Sequence, residues 1–331
     1  MTGYSTSLDR PGNLRAAATA VALLAAIIGG CGGDERPPDA DADIPLDPPE
    51  LAADEFELVP DGVVVLCYHY FRDSFEPTYL ARVVGAVVFG MPSLGPREFW
   101  TTPIGEFERH LRFFRDAGIA VMTLDEIAAL RARGGEPPER TVVLTIDDAD
   151  VSVYELAYPL LRRYGYRAHL FVPTGHVGRP WAGIHVCDWE MLSEMAAAGT
   201  FVLGSHTHDL HFKVETGDGY APVFLYPDAI PGAAQQTART ELRRRTSTPP
   251  TAPITRGVYA PVAWDLAASR AVTRAETGCE ATYLAWPYGF ANADLDSVAA
   301  AVGFRGSVSL HPSAWGPQAA PWHVGRYTIT A

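Results

Sequence analysis

Several function classes need residues that this sequence lacks. It has 331 residues and only four cysteines, none in a C-x-x-C pair, which excludes a zinc site built on thiolates. Lysine and arginine total 26 against 39 aspartates and glutamates, a formal net charge of −13. Binding phosphate backbones needs basic surface, so this balance argues against nucleic acid as a partner. No G-x-S-x-G occurs, and Ser205 stands before His206 in a strand-like run, which argues against a serine hydrolase. No internal repeat is evident. The apolar run AAATAVALLAAII near the N-terminus is too short for a comfortable membrane span.

That run has another reading. Arg10 and Arg15 precede it and Gly29-Gly30-Cys31 ends it, the pattern of a secretory signal peptide. The IGGC at its end resembles a bacterial lipobox. The resemblance implies that residues 1–31 are a lipoprotein signal ending at a lipidated Cys31, whose acyl chains anchor the protein to a membrane without spanning it. The expected location is the cell envelope, periplasm or cell surface, after secretion across the inner membrane. Residues 32–58 are acidic and rich in proline, with too little apolar surface to offset chain entropy, and read as a tether.

From residue 59 onward the composition changes. With 47% hydrophobic residues the chain as a whole can bury a core. Strand-like runs at 63–67, 119–122, 142–146, 168–172, 201–203, 283–285 and 306–310 are mostly separated by helix-like segments. Phe107, Leu111 and Phe114 make one helix stripe, and Thr123 with Glu126 makes a capping box. About seven strands in such alternation predict an α/β fold with a parallel sheet, open or closed into a barrel. Its site then lies past the C-terminal strand ends, at Tyr68-His69, Asp147-Asp148 and the histidines after 201–203. The stretch 212–261 breaks the alternation and reads as an insertion or loop. Cys67 reads as a buried thiol, and Cys187 and Cys279 as the two able to pair in an oxidising compartment.

Adjacent aspartates at a strand end can reach one pocket by different routes, one ligating a metal while the other acts as a base. A helix N-cap explains them equally well. GSHTHDLH adds three histidines in six positions: His206 and His208 share a face of an extended chain, His208 and His211 suit a helix, and His206 and His211 need a strand followed by a turn. Neutral imidazoles plus a carboxylate describe a catalytic zinc-type site.

LTIDDAD, GSHTHDLH and LAWPYG, in this order, resemble the polysaccharide deacetylase (NodB-homology, carbohydrate esterase family 4) family, and most of all its poly-N-acetylglucosamine deacetylase-like branch. The resemblance covers residues 60–331. It implies a distorted (β/α) barrel of about seven strands, circularly permuted in this branch. It also implies one divalent metal ion held by Asp148, His206 and His211, zinc first, with iron, cobalt, nickel or manganese as alternatives. Asp147 would be the base that activates water, and the Tyr288 backbone N–H would contact the oxyanion. His69 would be the general acid, with His311 as the competitor and His323 a distant third. Trp286, Pro287 and Tyr288 would shape the sugar site, Trp286 either stacking on a pyranose or packing in the core. His208 would be a bystander or rim residue.

Two departures from the family pattern stand out: Ala149 replaces a glycine, and the arginine that orients the base elsewhere has no obvious match. The implied activity is N-deacetylation of an N-acetylglucosamine-containing polysaccharide. The competing readings are hydrolysis of an O-acetyl ester or another amide on an envelope polymer, and a sugar-binding lipoprotein without turnover.

Overall fold

The computed structural model describes residues 62–73, 99–246 and 257–330. The expected signal peptide, Cys31 and the tether lie outside the described residues. The described chain enters with β1 (Val64–Tyr68) and the short pair β2 (Tyr70–Arg72) and β3 (Thr101–Pro103). Helix α1 (Ile104–Asp116) follows and buries the Phe107, Leu111, Phe114 stripe. After β4 (Ala120–Val121), α2 (Leu124–Arg131) starts on the expected capping box, with both of its hydrogen bonds made. β5 (Thr141–Ile146) leads to a π-helical turn (Val153–Ala157) and α3 (Tyr158–Tyr164). The helix expected there is split in two, with Pro159, which has no N–H to donate, just past the join.

Next come β6 (Ala168–Val172), the hairpin β7 (Pro180–Trp181) and β8 (Ile184–His185), then α4 (Trp189–Ala197) and β9 (Phe201–Ser205). A second hairpin, β10 (Lys213–Thr216) with β11 (Gly219–Pro222), precedes α5 (Gly232–Arg245) and α6 (Ala260–Thr277). The chain closes with β12 (Tyr283–Ala285), α7 (Ala293–Val302), β13 (Gly306–Val308) and β14 (Tyr327–Thr328).

One parallel sheet has the order β13-β12-β9-β6-β5-β1-β14, with β4 against the first residues of β5. The seven strands expected from the alternation are all in it, and β14 is the addition. The sheet curls into a half-barrel. A parallel bridge from Val308 to Val324, just ahead of β14, draws its two edges together.

The two-residue period of each strand sends Val65, Val143, Phe171, Tyr283 and Val308 inward, where Leu124 and Ile127 of α2 fill the interior. The alternate residues, among them Leu144, Ile146, Leu170 and Leu203, pack outward against α1, α3 and α4 through Leu111, Leu161 and Leu192. β9 lies so close to β6 that a Cβ on Gly204 would sit 2.5 Å from the Phe171 ring.

The 212–261 stretch is more than a loop. Val223, Phe224 and Ile230 join Leu210 in the core around β12, and α5 lies on α6 through Ala238, Leu242, Ala267 and Ala268. Alanines make most of that contact, so no leucine-type stripe marked the helix. Residues 247–256 lie outside the described residues. Among the described residues no helix is long and apolar enough to cross a membrane.

Because every pairing in this sheet is parallel, the C-terminal strand ends share one rim. His69, Asp147, His206 and Trp286 all stand there.

Candidate metal centre and catalytic pocket

Asp147 continues the β5 ladder, its N–H donating to the Tyr68 carbonyl at 3.0 Å. The chain then turns sharply: the Ala149 N–H donates to the Asp147 carbonyl at 2.8 Å, with Asp148 at φ 66 and Ala149 at φ 53. Left-handed backbone is unfavourable for residues with a Cβ, and such strain concentrates at functional sites. Here it lets two adjacent carboxylates enter one pocket by different routes. The glycine missing at position 149 is thus a position that does need positive φ. Neither aspartate caps the following helix, because Asp150 accepts the Ser152 N–H instead.

Asp148 turns toward the histidines of the β9 loop. Its Oδ1 lies 3.4 Å from His206 Nε2 and 3.7 Å from His211 Nε2, and the ligand-type atoms of the three residues lie within 4.8 Å of one another. Oδ2 accepts the Tyr70 hydroxyl at 2.6 Å, while the buried Oδ1 has no hydrogen-bond partner. His206 Nδ1 donates to the Ala285 carbonyl at 2.8 Å, which leaves Nε2 facing Asp148; against burial, which lowers it, Asp148 and Asp147 raise the His206 pKa when no ion is bound. Burial alone would raise the Asp148 pKa, but His206 and His211 outweigh it and hold the carboxyl far below its usual range. Burial pushes His211 down to about 4, so its imidazole is neutral. An ionised, partly orphaned carboxylate facing two imidazoles fits a divalent cation.

A second group, Cys67, His69 and Asp147, is as compact. Its carboxylate is already engaged: Arg326 Nη1 and Nη2 donate to Asp147 Oδ1 and Oδ2 at 2.7 and 2.8 Å. Burial would raise the Asp147 pKa, yet the guanidinium lowers it below the ordinary value. Cys67 Sγ lies 3.7 Å from Asp147 Oδ2, and burial pushes that thiol well up. His69 Nε2 lies 4.0 Å from the same oxygen, and its ring packs 4.4 Å from Trp100. Arg326, Cys67 and His69 all surround this one carboxylate.

Residues 134–307, more than half of the chain, match the model of the polysaccharide deacetylase family. The chain belongs to that family. A poly-β-1,6-N-acetyl-D-glucosamine N-deacetylase of Staphylococcus aureus is 34% identical over 107 residues, 32% of this chain and 37% of the relative. The chain thus spans little more than a third of the length of that relative. IcaB from Ammonifex degensii superposes with a TM-score of 0.59 at 29% identity, over 82% of this chain and 92% of that one. The BpsB deacetylase domain from Bordetella bronchiseptica gives 0.56 at 26% identity, over 82% and 96%.

Within this deacetylase fold the structure bears on four expectations. Where no arginine was matched to Asp147, the structure sets Arg326 against it, fully buried just ahead of β14. Of the two competing histidines, His69 stands beside Asp147. His311 is exposed and offers its backbone carbonyl to the Arg326 N–H, while His323 sits 3.4 Å from Asp296. His208 is no rim residue: it is 4% exposed, with Nδ1 2.9 Å from Thr174 Oγ1. Trp286 is fully buried, its indole N–H donating to Asp296 at 2.9 Å, and Pro287 is buried beside it, so neither is a sugar platform.

Of that motif only Tyr288 reaches the pocket, with φ 61 and its ring 4.6 Å from His211. Trp181, which sequence reasoning missed, meets the His211 ring edge-on at 4.9 Å. Cys187 and Cys279 are free thiols.

Trp286→Phe therefore removes a hydrogen bond to a carboxylate. It is expected to lower stability by about 2 kcal/mol in urea melts while leaving KM for sugar oligomers unchanged. A raised KM at unchanged stability would restore the sugar-stacking role.

Proposed function

We propose that this chain is a metal-dependent hydrolase that removes N-acetyl groups from an N-acetylglucosamine-containing polysaccharide at the cell envelope. The observation that carries the reading is the buried, unpartnered Asp148 oxygen facing His206 and His211, beside an arginine-anchored Asp147. The substrate class follows the relatives named for poly-β-1,6-N-acetyl-D-glucosamine.

Two imidazoles and a carboxylate suit zinc, and also iron, cobalt, nickel or manganese. When bound, such an ion acidifies water and withdraws electron density from a carbonyl oxygen. The chain's own residues do the rest. Asp147, kept ionised by Arg326, accepts the proton of the attacking water. The Arg326 fork fixes the plane of that carboxylate through two parallel bonds. The Tyr288 backbone N–H is the donor assigned to the developing oxyanion. Burial lowers the His69 pKa, and Asp147 and Asp148 oppose that by favouring its protonated form. At 4.0 Å from Asp147, His69 gives the abstracted proton a short path to the leaving nitrogen. The products are acetate and a free amine. Anchoring through a lipidated Cys31, with residues 32–58 as tether, belongs to the same proposal, because it holds the enzyme where envelope polymer is found.

The test is acetate release from short N-acetylglucosamine oligomers by zinc-loaded protein. Chelation is expected to abolish release and zinc to restore it. Release from O-acetylated sugars alone would make the protein an esterase. Metal binding with no release from any acetylated sugar would make it a binding protein.

A further inference from the structure

The two imidazoles that face Asp148 are five residues apart on a loop whose shape needs an explanation. Between them the backbone passes through Thr207 at φ 68, a conformation that costs ~1–2 kcal/mol for a residue with a Cβ. Something must hold the loop in it.

One side is held by the turn after β6. The Thr174 and Gly175 N–H groups donate to the Thr207 and His208 carbonyls at 3.2 and 2.8 Å. The approach is so close that a Cβ on Gly175 would lie 2.4 Å from the His208 oxygen. The other side is held by α6. Asp265 Oδ1 accepts the His208 N–H at 2.7 Å and Oδ2 accepts the Asp209 N–H at 2.8 Å. One turn further along the same helix face, the Ser269 hydroxyl pairs with Ser205 Oγ at 2.7 Å, and Ser205 Oγ accepts the Thr207 N–H at 3.1 Å.

We infer that Asp265 is a positioning residue for the deacetylase centre: its carboxylate clamps the backbone between His206 and His211 and, with Ser269, sets the loop so that both imidazoles face Asp148. This inference rests on the metal-centre reading of those three residues. Asp265 is only 2% exposed, and burial pushes its carboxyl up to about 7 against the two N–H donors that lower it. A buried carboxylate is a costly cap. What it offers in exchange is two acceptor oxygens side by side, matched to two successive N–H groups. An asparagine has one acceptor and would turn an amide N–H toward the other backbone N–H.

The experiment compares zinc affinity of the wild-type chain, Asp265→Asn and Ser269→Ala by competition with a chromophoric chelator, with near-UV circular dichroism as the check on folding. Asp265→Asn is expected to lose ~10–100-fold in zinc affinity, the usual effect of disturbing what orients a ligand. Its KM should be unchanged, and its kcat should recover largely at saturating zinc. Ser269→Ala is expected to lose less and to keep the wild-type fold. A folded Asp265→Asn protein with wild-type zinc affinity would overturn the inference. If that variant does not fold, wild-type affinity in Ser269→Ala would overturn it instead. A wild-type chain that binds no zinc or other divalent ion would overturn the metal-centre reading itself, a separate result.

Discussion

An Asp147→Asn protein is expected to keep its metal and turn over roughly 10²–10⁴-fold more slowly, the usual contribution of a general base. Asparagine has nearly the shape of aspartate, so the Asp148, His206 and His211 group, with Asp148 Oδ1 3.4 and 3.7 Å from the two imidazoles, is left as it was. What disappears is a group able to accept a proton. The side-chain amide also turns one N–H toward the Arg326 fork, so some loss of stability accompanies the loss of rate. Metal content by mass spectrometry and acetate release on the same sample separate the two aspartates. Full metal with little turnover is the expected result. Loss of metal would move the ion to the Cys67, His69 and Asp147 group, and turnover within tenfold of wild type would place the base elsewhere.

Much of this molecule is legible in its sequence because strong local patterns agree with the global fold. The run 168–172 is β6 to the residue, since a short apolar run between turns has few other uses in a parallel sheet. The spacing of His206 and His211 was open by geometry alone. The resemblance assigned it, and the structure brings both rings to Asp148 at the end of β9. The capping box at Thr123 is equally local and equally clear.

What was not legible depends on contacts between distant segments. Asp147 and Arg326 are 179 positions apart and meet only because β14 closes beside β1. β14 has two residues and no helix before it, so no periodicity announces it. The positive φ values at Asp148 and Thr207 were hidden because neither is a glycine. Trp286 was misplaced for the opposite reason. An aromatic in a sugar-type motif suggests stacking, yet its indole N–H found a buried partner in Asp296 one helix away. A buried tryptophan needs such a partner.

The Arg326 contact yields the prediction with the largest effect on stability. Arg326→Leu is expected to cost about 3–5 kcal/mol, because it strands Asp147 as a buried charge without its cation. The Asp147 contribution to the pH dependence changes with it. In the wild type the Asp147 pKa is lowered, so its contribution to stability is fully present above the ordinary carboxylate pKa and is lost as pH falls through the depressed value. Without the guanidinium only burial and the histidines act, and burial raises the pKa. Asp147 in the folded variant then takes up a proton more readily than in the wild type, while the buried histidines shift both proteins alike, so the stability gap between variant and wild type should narrow on acidification from pH 7 to pH 5. Urea melts at the two pH values read this directly.

Activity should follow the same shift. The acid limb of the variant's pH–rate profile moves to higher pH, and kcat falls on the order of 100-fold from misaiming the base. Arg326→Lys keeps the charge but loses the fork, so its acid limb should stay nearer the wild-type position while kcat remains reduced. An unmoved acid limb together with full kcat in Arg326→Leu would mean that Arg326 neither tunes nor aims Asp147. Its bidentate pair would then serve only to close the half-barrel, joining β14 to the end of β5.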